Sequence, residues 1–155
     1  MLSIGLVSAG QEQYYVELSR EDYYTDSGEP EGQWFGAGAE SLGLTGTVEK
    51  ENLSALIRGF APDGSKLVRN AGSETRRAGL DLTFNAPKSV SVFWSQASGD
   101  ARRGAEEAHA AAVKAALEYI ENSASFIRYG LDGVHRKKAG LVVATFEHKI
   151  GRAHV

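Results

Sequence analysis

Apolar and polar positions along this chain fall into runs of two kinds. From Leu2 to Ala9 they read as a strand, ended by the turn Ser8-Ala9-Gly10. Gln11 to Leu18 has helical character, Ser19 to Pro30 is acidic, and Asp26 to Gly32 is a loop by composition. Trp34-Phe35 then enters a small helical stretch that ends near Gly43. Val48, Leu53, Leu56, Ile57 and Phe60 have the spacing of an amphipathic helix. Asp63-Gly64 turns the chain, and the polar segment up to Gly79 is expected to be a loop. Leu80 to Phe84 alternates and predicts a strand. Pro87 opens a helix running to Ala97, since a first-turn residue can do without its N–H. Asp100 is placed to cap an alanine-rich helix from Ala101 to Asn122. Phe126–Tyr129, an Asp132-Gly133 turn and Ala139–His148 then predict a two-stranded hairpin. No repeat, linker or low-complexity tract interrupts this order, which predicts an α+β domain: a sheet with helices packed on one face.

Bulk properties narrow the picture. A chain of 155 residues with 42% hydrophobic content can build one core. There are no cysteines, which excludes disulfides and thiolate metal sites and fits a reducing compartment. No apolar run approaches the roughly 18–20 residues of a membrane span, and Met1 to Val7 lacks the basic flank of a signal peptide. The expected location is the cytoplasm, without membrane insertion. A net charge of −3 argues mildly against a nucleic-acid binder, yet it is unevenly spread. Residues 1–51 hold ten acids against Arg20 and Lys50, and the remainder holds fifteen bases against ten acids. A basic face beside an acidic segment is compatible with that division.

The candidate chemistry starts from two tyrosine doublets, Tyr14-Tyr15 and Tyr23-Tyr24, and an Asp81 on the Leu80–Phe84 strand. Doubled tyrosines pack as readily as they react. A phenol with a pKa near 10 is almost fully protonated at neutral pH, so a tyrosine nucleophile needs a base or a cation beside it. Asp81 is either that proton acceptor or an exposed strand residue. The doublets lie nine residues apart, and nine steps of about 100° on one helix would set them on opposite faces. One centre can use both only if the chain breaks between them, and Ser19 to Asp22 offers the break. Arg76, Arg77 and Lys88 flank the Asp81 strand as phosphate contacts or as merely solvated charges, and Arg136-Lys137-Lys138 is a similar candidate at the expected hairpin turn. Trp34 and Phe35 suit burial or base stacking. For Tyr15 and Tyr24 the expectation is packing with exposed hydroxyls. His148 on its own is a surface or core histidine or a metal ligand.

The final residues, Ile150-Gly151-Arg152-Ala153-His154-Val155, do not continue the pattern. Written as ATC GGA AGA GCA CAC GTC they coincide with a widely used short-read sequencing adapter. They are therefore expected to be adapter read through as protein, with residues 1–149 forming a partial domain and His154 belonging to no site.

Together the two doublets, Gly32-Gln33-Trp34-Phe35-Gly36, Gly38-Ala39-Glu40, Leu42-Gly43-Leu44, the block Gly79-Leu80-Asp81-Leu82-Thr83-Phe84-Asn85-Ala86-Pro87-Lys88-Ser89 and Leu141-Val142-Val143-Ala144-Thr145-Phe146-Glu147-His148 resemble the N-terminal nicking domain of MobF-type conjugative relaxases, the TrwC/TraI family. Each block alone is weak; their order and intervals across nearly all of residues 1–149 are specific. The resemblance implies an HUH-type relaxase fold with a central antiparallel sheet, here C-terminally incomplete. It implies site- and strand-specific nicking of single-stranded DNA at a plasmid transfer origin through a 5′-phosphotyrosine link. By the same resemblance Tyr14 makes the first cut, Tyr23 acts in a later strand transfer, Asp81 assists the nucleophile, and His148 is the first of three histidines holding a divalent metal ion, magnesium or manganese. The other two belong to a His-x-His motif about a dozen residues further on, so this chain by itself is expected to be nearly inactive. Accessory origin-binding proteins, a coupling protein and a C-terminal helicase domain are the partners implied for the parent bacterial protein. Two rivals remain at this point: a relaxase-like DNA-binding module without cleavage, and an interaction domain with core tyrosines.

Overall fold

The computed structural model describes residues 1–18 and 31–147. Two compact units emerge, one built on Ser3–Thr83 with the segment from Val142, the other on Phe84–Leu141 with Met1 and Leu2. No helix among the described residues is long and apolar enough to cross a membrane.

In the first unit, β1 (Leu2–Ser8) passes through a 3-10 turn at Ala9–Gln11 into α1 (Glu12–Leu18). β2 (Gln33–Phe35), α2 (Ala37–Ser41), α3 (Lys50–Arg58), β3 (Arg77–Phe84) and β6 (Val143–Thr145) follow. β1 pairs with β3. Ala9 N–H donates to the Arg76 carbonyl at one end of this ladder and Asn85 N–H to the Met1 carbonyl at the other, the order that antiparallel strands require. β2 pairs with β6 antiparallel, Trp34 opposite Ala144. The core is Val48, Leu53 and Ile57, with Tyr15, Trp34, Ala78, Ala144 and Phe146 packed against it. Trp34 thus joins the core, and it lies on a strand rather than in the expected helical stretch, which begins only at Ala37.

α3 keeps the apolar stripe read from the sequence and stops at Gly59, whose φ of 93° lies in the left-handed region. Its N–H and that of Phe60 return to carbonyls in the last turn of the helix. A Cβ at Gly59 would sit 2.9 Å from Val68 Cγ2 and 3.2 Å from both Ala71 Cα and the Arg76 guanidinium carbon. Gly59→Ala is therefore expected to destabilise the fold by about 2 kcal/mol, from backbone strain and overpacking. An unchanged urea midpoint would refute this.

The polar stretch beyond Gly59 is a chain of turns tied back to α3, with Leu67 N–H on the Gly59 carbonyl and Gly72 N–H on that of Arg58. β3 starts at Arg77, ahead of the expected Leu80, because Arg77-Ala78-Gly79 is recruited by backbone pairing and carries no apolar alternation to announce it.

The second unit holds α4 (Lys88–Gln96), α5 (Gly99–Ser123), β4 (Phe126–Tyr129) and β5 (His135–Lys138). Trp94 donates its indole N–H to Glu106 at 2.8 Å and lies under the Arg102 guanidinium at 4.4 Å, which joins the two helices. The cap of α5 falls on Ser98; Asp100 lies in the first turn, paired with Arg103, where its charge still complements the helix dipole. The hairpin also differs from expectation. Its second strand is His135–Lys138, the segment expected to be the turn, whereas Val143–Thr145 pairs with β2. A strand of four polar residues leaves no periodic apolar signal. The α+β class and antiparallel pairing are as expected, and among the described residues the strands pair two by two.

Candidate active site

The first doublet is presented by the short connection between β1 and α1. Gln11 Oε1 accepts from the Ser8 backbone N–H at 3.1 Å and from the Ser8 hydroxyl at 3.3 Å, which closes the strand-to-helix turn. Glu12, one residue on, binds the Ser54 hydroxyl and approaches Arg58 Nε at 3.7 Å, so α1 is fastened to α3. That fastening sets the rotation of α1 about its own axis.

Successive residues on a helix differ by about 100° in direction, and the doublet divides accordingly. Tyr15 turns inward onto the Val48–Leu53–Ile57 core. Tyr14 turns outward and is 60% exposed, its ring meeting that of Tyr15 edge-on at 5.0 Å. Asp81 arrives from β3, where a Cβ built on Gly5 of the neighbouring strand would lie 3.5 Å from its own Cβ.

The structure joins Asp81 to Tyr15: the Tyr15 hydroxyl donates to Asp81 Oδ2 at 3.1 Å in a partly buried setting. The expectation of an exposed Tyr15 hydroxyl is corrected by this bond, although its ring packs as expected. Burial first, then the negative charge and hydrogen bond of Asp81, then Tyr14, push the Tyr15 phenol from 10.0 up to about 12. Tyr15 is consequently a protonated donor at neutral pH. A phenol raised in the folded state stabilises the fold fully below pH 10 and loses that contribution as pH rises through about 12. Asp81→Asn removes the charge and weakens the bond, so the most alkaline phenol should titrate closer to 10. Phenolate absorbance against pH measures this, and an unmoved titration would contradict the pairing.

The other expected site residues divide sharply. Arg76 is 8% exposed, and its guanidinium donates to the Ile57 carbonyl at the end of α3. This corrects its reading as a phosphate contact: its charge is spent on satisfying a helix terminus. Arg77 is exposed at the start of β3, and Lys88 is exposed as the first residue of α4 in the other unit. Tyr23 and His148 lie outside the described residues, as does Tyr24. Among the described residues no group of three or more His, Cys, Asp or Glu side chains is arranged to hold a metal ion. Those residues do not by themselves fit the expected divalent cation. The role of Tyr15 was missed by sequence reasoning; its one signal was its place beside Tyr14 on a helix, which forces the two rings apart in direction.

Comparison with known proteins gives a consistent result. The family model described as TrwC relaxase matches residues 8–154. The multifunctional conjugation protein TraI of Escherichia coli is 41% identical over 157 residues, covering 98% of this chain and 8% of that protein. A solved structure of the conjugative relaxase TrwC in complex with oriT DNA superposes with a TM-score of 0.73 at 35% identity, over 96% of this chain and 51% of that one. A metal-bound TrwC–oriT DNA structure gives 0.73 at 31% identity, over 96% and 51%. TrwC with a 27-mer comprising the recognition hairpin and cleavage site gives 0.72 at 29%, over 96% and 49%. The chain therefore spans about half of the solved relatives and a small part of the curated one.

Proposed function

Because this chain belongs to the TrwC relaxase family, we propose that it is the nucleophile-bearing part of a conjugative relaxase domain, in which Tyr14 cuts one DNA strand at a transfer origin. The observation that carries the reading is the bond between Tyr15 and Asp81 beside an exposed Tyr14.

In the proposed step the Tyr14 oxygen bonds to the scissile phosphorus and the bond from phosphorus to the 3′ oxygen breaks. The products are a 5′-phosphotyrosine and a free 3′-hydroxyl. Phosphodiester character passes from DNA to protein, so reversal with another 3′-hydroxyl reseals a strand without an external energy source. The proton leaves Tyr14 for Asp81, and the 3′ oxygen takes up a proton as it departs. Among the described residues only Asp81 Oδ2 is engaged, by Tyr15, which leaves Oδ1 to accept. Tyr15 is a positioning residue in this scheme: anchored in the core, it holds the carboxylate still, and its own phenol, pushed up to about 12, is a poor source of phenolate. Tyr23 is proposed as the nucleophile of a second strand transfer.

A bound divalent cation would polarise the phosphate oxygens and stabilise the charge that develops on them. His148 is the residue of this chain proposed for it. The remaining ligands are proposed to lie outside the described residues. Single-stranded origin DNA, origin-binding proteins, a coupling protein and a helicase domain are the proposed partners, in the bacterial cytoplasm.

The test is a covalent adduct. The complete domain, incubated with an origin-strand oligonucleotide and divalent metal, should yield a protein–DNA species stable to denaturing electrophoresis, with the nucleotide mapped to Tyr14. No adduct with any origin strand, or an adduct on a different tyrosine, would refute the assignment.

A further inference from the structure

We propose that Glu12 is a positioning residue for strand cleavage: bonded to Ser54 and Arg58 of α3, it holds α1 at the rotation that seats Tyr15 on Asp81 and leaves Tyr14 facing outward to meet a phosphate. The inference deepens the proposed function and rests on its choice of Tyr14 as the nucleophile. Glu12, Ser54 and Arg58 stand outside every sequence block that carries the family resemblance.

Glu12, Tyr15 and Val16 stand three and four residues apart on α1 and so share one face. Val16 is buried and Tyr15 lies on the core, so that face is turned inward. Apolar contacts are non-directional, and by themselves they let a seven-residue helix roll. A carboxylate bond is directional, and Glu12 makes two contacts at once. Its Oε1 accepts from the Ser54 hydroxyl in a partly buried setting, and its Oε2 lies 3.7 Å from Arg58 Nε. Ser54 and Arg58 are four residues apart on α3, so both contacts fall on one strip of that helix. The Arg58 side chain is 54% exposed, so the Ser54 bond carries more of the hold.

The same stretch of α3 also holds β3. The Arg76 guanidinium donates to the carbonyl of Ile57, which lies between Ser54 and Arg58 in sequence, and Asp81 follows Arg76 on the same strand segment. α3 is thus the common frame for both partners of the Tyr15–Asp81 bond, reached by Glu12 from one side and by Arg76 from the other. The tolerance is narrow. Side chains at the edge of a helix lie about 5–6 Å from its axis, so a roll of about 20° displaces them by ~2 Å. The Tyr15–Asp81 bond, at 3.1 Å, would not survive such a roll. Tyr14 would turn through the same angle, and Asp81 would lose the donor that holds it still. Burial, Asp81 and Tyr14 raise the Tyr15 phenol, and Glu12 is not among these causes. A change in that phenol on altering Glu12 therefore reports the rotation of α1.

The experiment pairs a spectroscopic readout with a kinetic one. In Glu12→Ala the most alkaline phenol, assigned by its loss in Tyr15→Phe, should titrate closer to 10.0 than to about 12. Single-turnover cleavage of an origin-strand oligonucleotide by the complete domain should fall about tenfold, with affinity for that strand within about twofold. Glu12→Gln keeps an acceptor for the Ser54 hydroxyl and should recover most of both losses. Ser54→Ala should lower cleavage less than Glu12→Ala, since Arg58 remains, and the double variant should be no worse than Glu12→Ala alone. Should Glu12→Ala not fold, Ser54→Ala, which loses a single hydroxyl, carries the same two readouts. A Tyr15 phenol still titrating near 12, or a shifted phenol with undiminished cleavage, would overturn the proposal while leaving Tyr14 as the nucleophile. A Glu12→Gln variant as impaired as Glu12→Ala would overturn the Ser54 bond as the hold. Failure of the nucleophile reading shows separately, as a parent domain that forms no adduct, and it overturns both.

Discussion

Tyr14→Phe is expected to lower strand cleavage by the complete domain at least ~10³-fold, because no other group replaces a covalent nucleophile. The ring is retained, so its edge-on contact with Tyr15 and the fold should survive. Single-stranded DNA affinity should stay within about twofold, since the phenol makes no charge contact before reaction. Tyr15→Phe should behave differently. It frees Asp81 from its donor while preserving core packing, and cleavage should fall only about 10–100-fold, as for a lost orienting partner. Single-turnover cleavage of an origin-strand oligonucleotide, with the covalent adduct counted on a denaturing gel, measures both. If Tyr15→Phe abolishes the adduct and Tyr14→Phe does not, the roles of the two tyrosines are reversed.

Arg76→Ala should produce the largest loss of stability, about 2–3 kcal/mol, or a melting temperature lower by roughly 5–10 °C. Truncation strands the Ile57 carbonyl at the end of α3 and removes a buried side chain, 8% exposed, from between α3 and the turn into β3. Its backbone also matters here, since its carbonyl accepts from Ala9 N–H at 3.1 Å. The neighbouring Arg77→Ala is a surface change and should stay within about 0.5 kcal/mol. Thermal melts of the two variants, run beside oligothymidine binding, separate a structural arginine from a phosphate contact. Unchanged melting of Arg76→Ala together with weakened DNA binding would restore the reading taken from the sequence.

Much of the fold was legible because its signals are local. The stripe from Val48 to Phe60 anticipates α3, the alternation in Leu80–Phe84 anticipates most of β3, and Pro87 marks the start of α4. Elements formed by pairing alone were not legible. Gln33–Phe35 is a strand because Val143–Thr145 lies beside it. His135–Lys138 is a strand because Phe126–Tyr129 lies beside it, and neither segment carries an alternating apolar signal of its own.

The candidate site divides along the same line. The sequence by itself determined which chemical groups are available: phenols in pairs, one aspartate on a strand, and the order of blocks that identifies the family. The tertiary structure alone decided how those groups are used. The rotation of α1, set by Glu12 against Ser54 and Arg58, sends Tyr15 to Asp81 and Tyr14 to solvent. The end of α3 needs a donor, and Arg76 meets that need. Residue type limits what a side chain can donate, accept or attack with, and it is written in every codon. Which partner it meets depends on helix rotation and strand register, and those follow from contacts between residues distant in the chain.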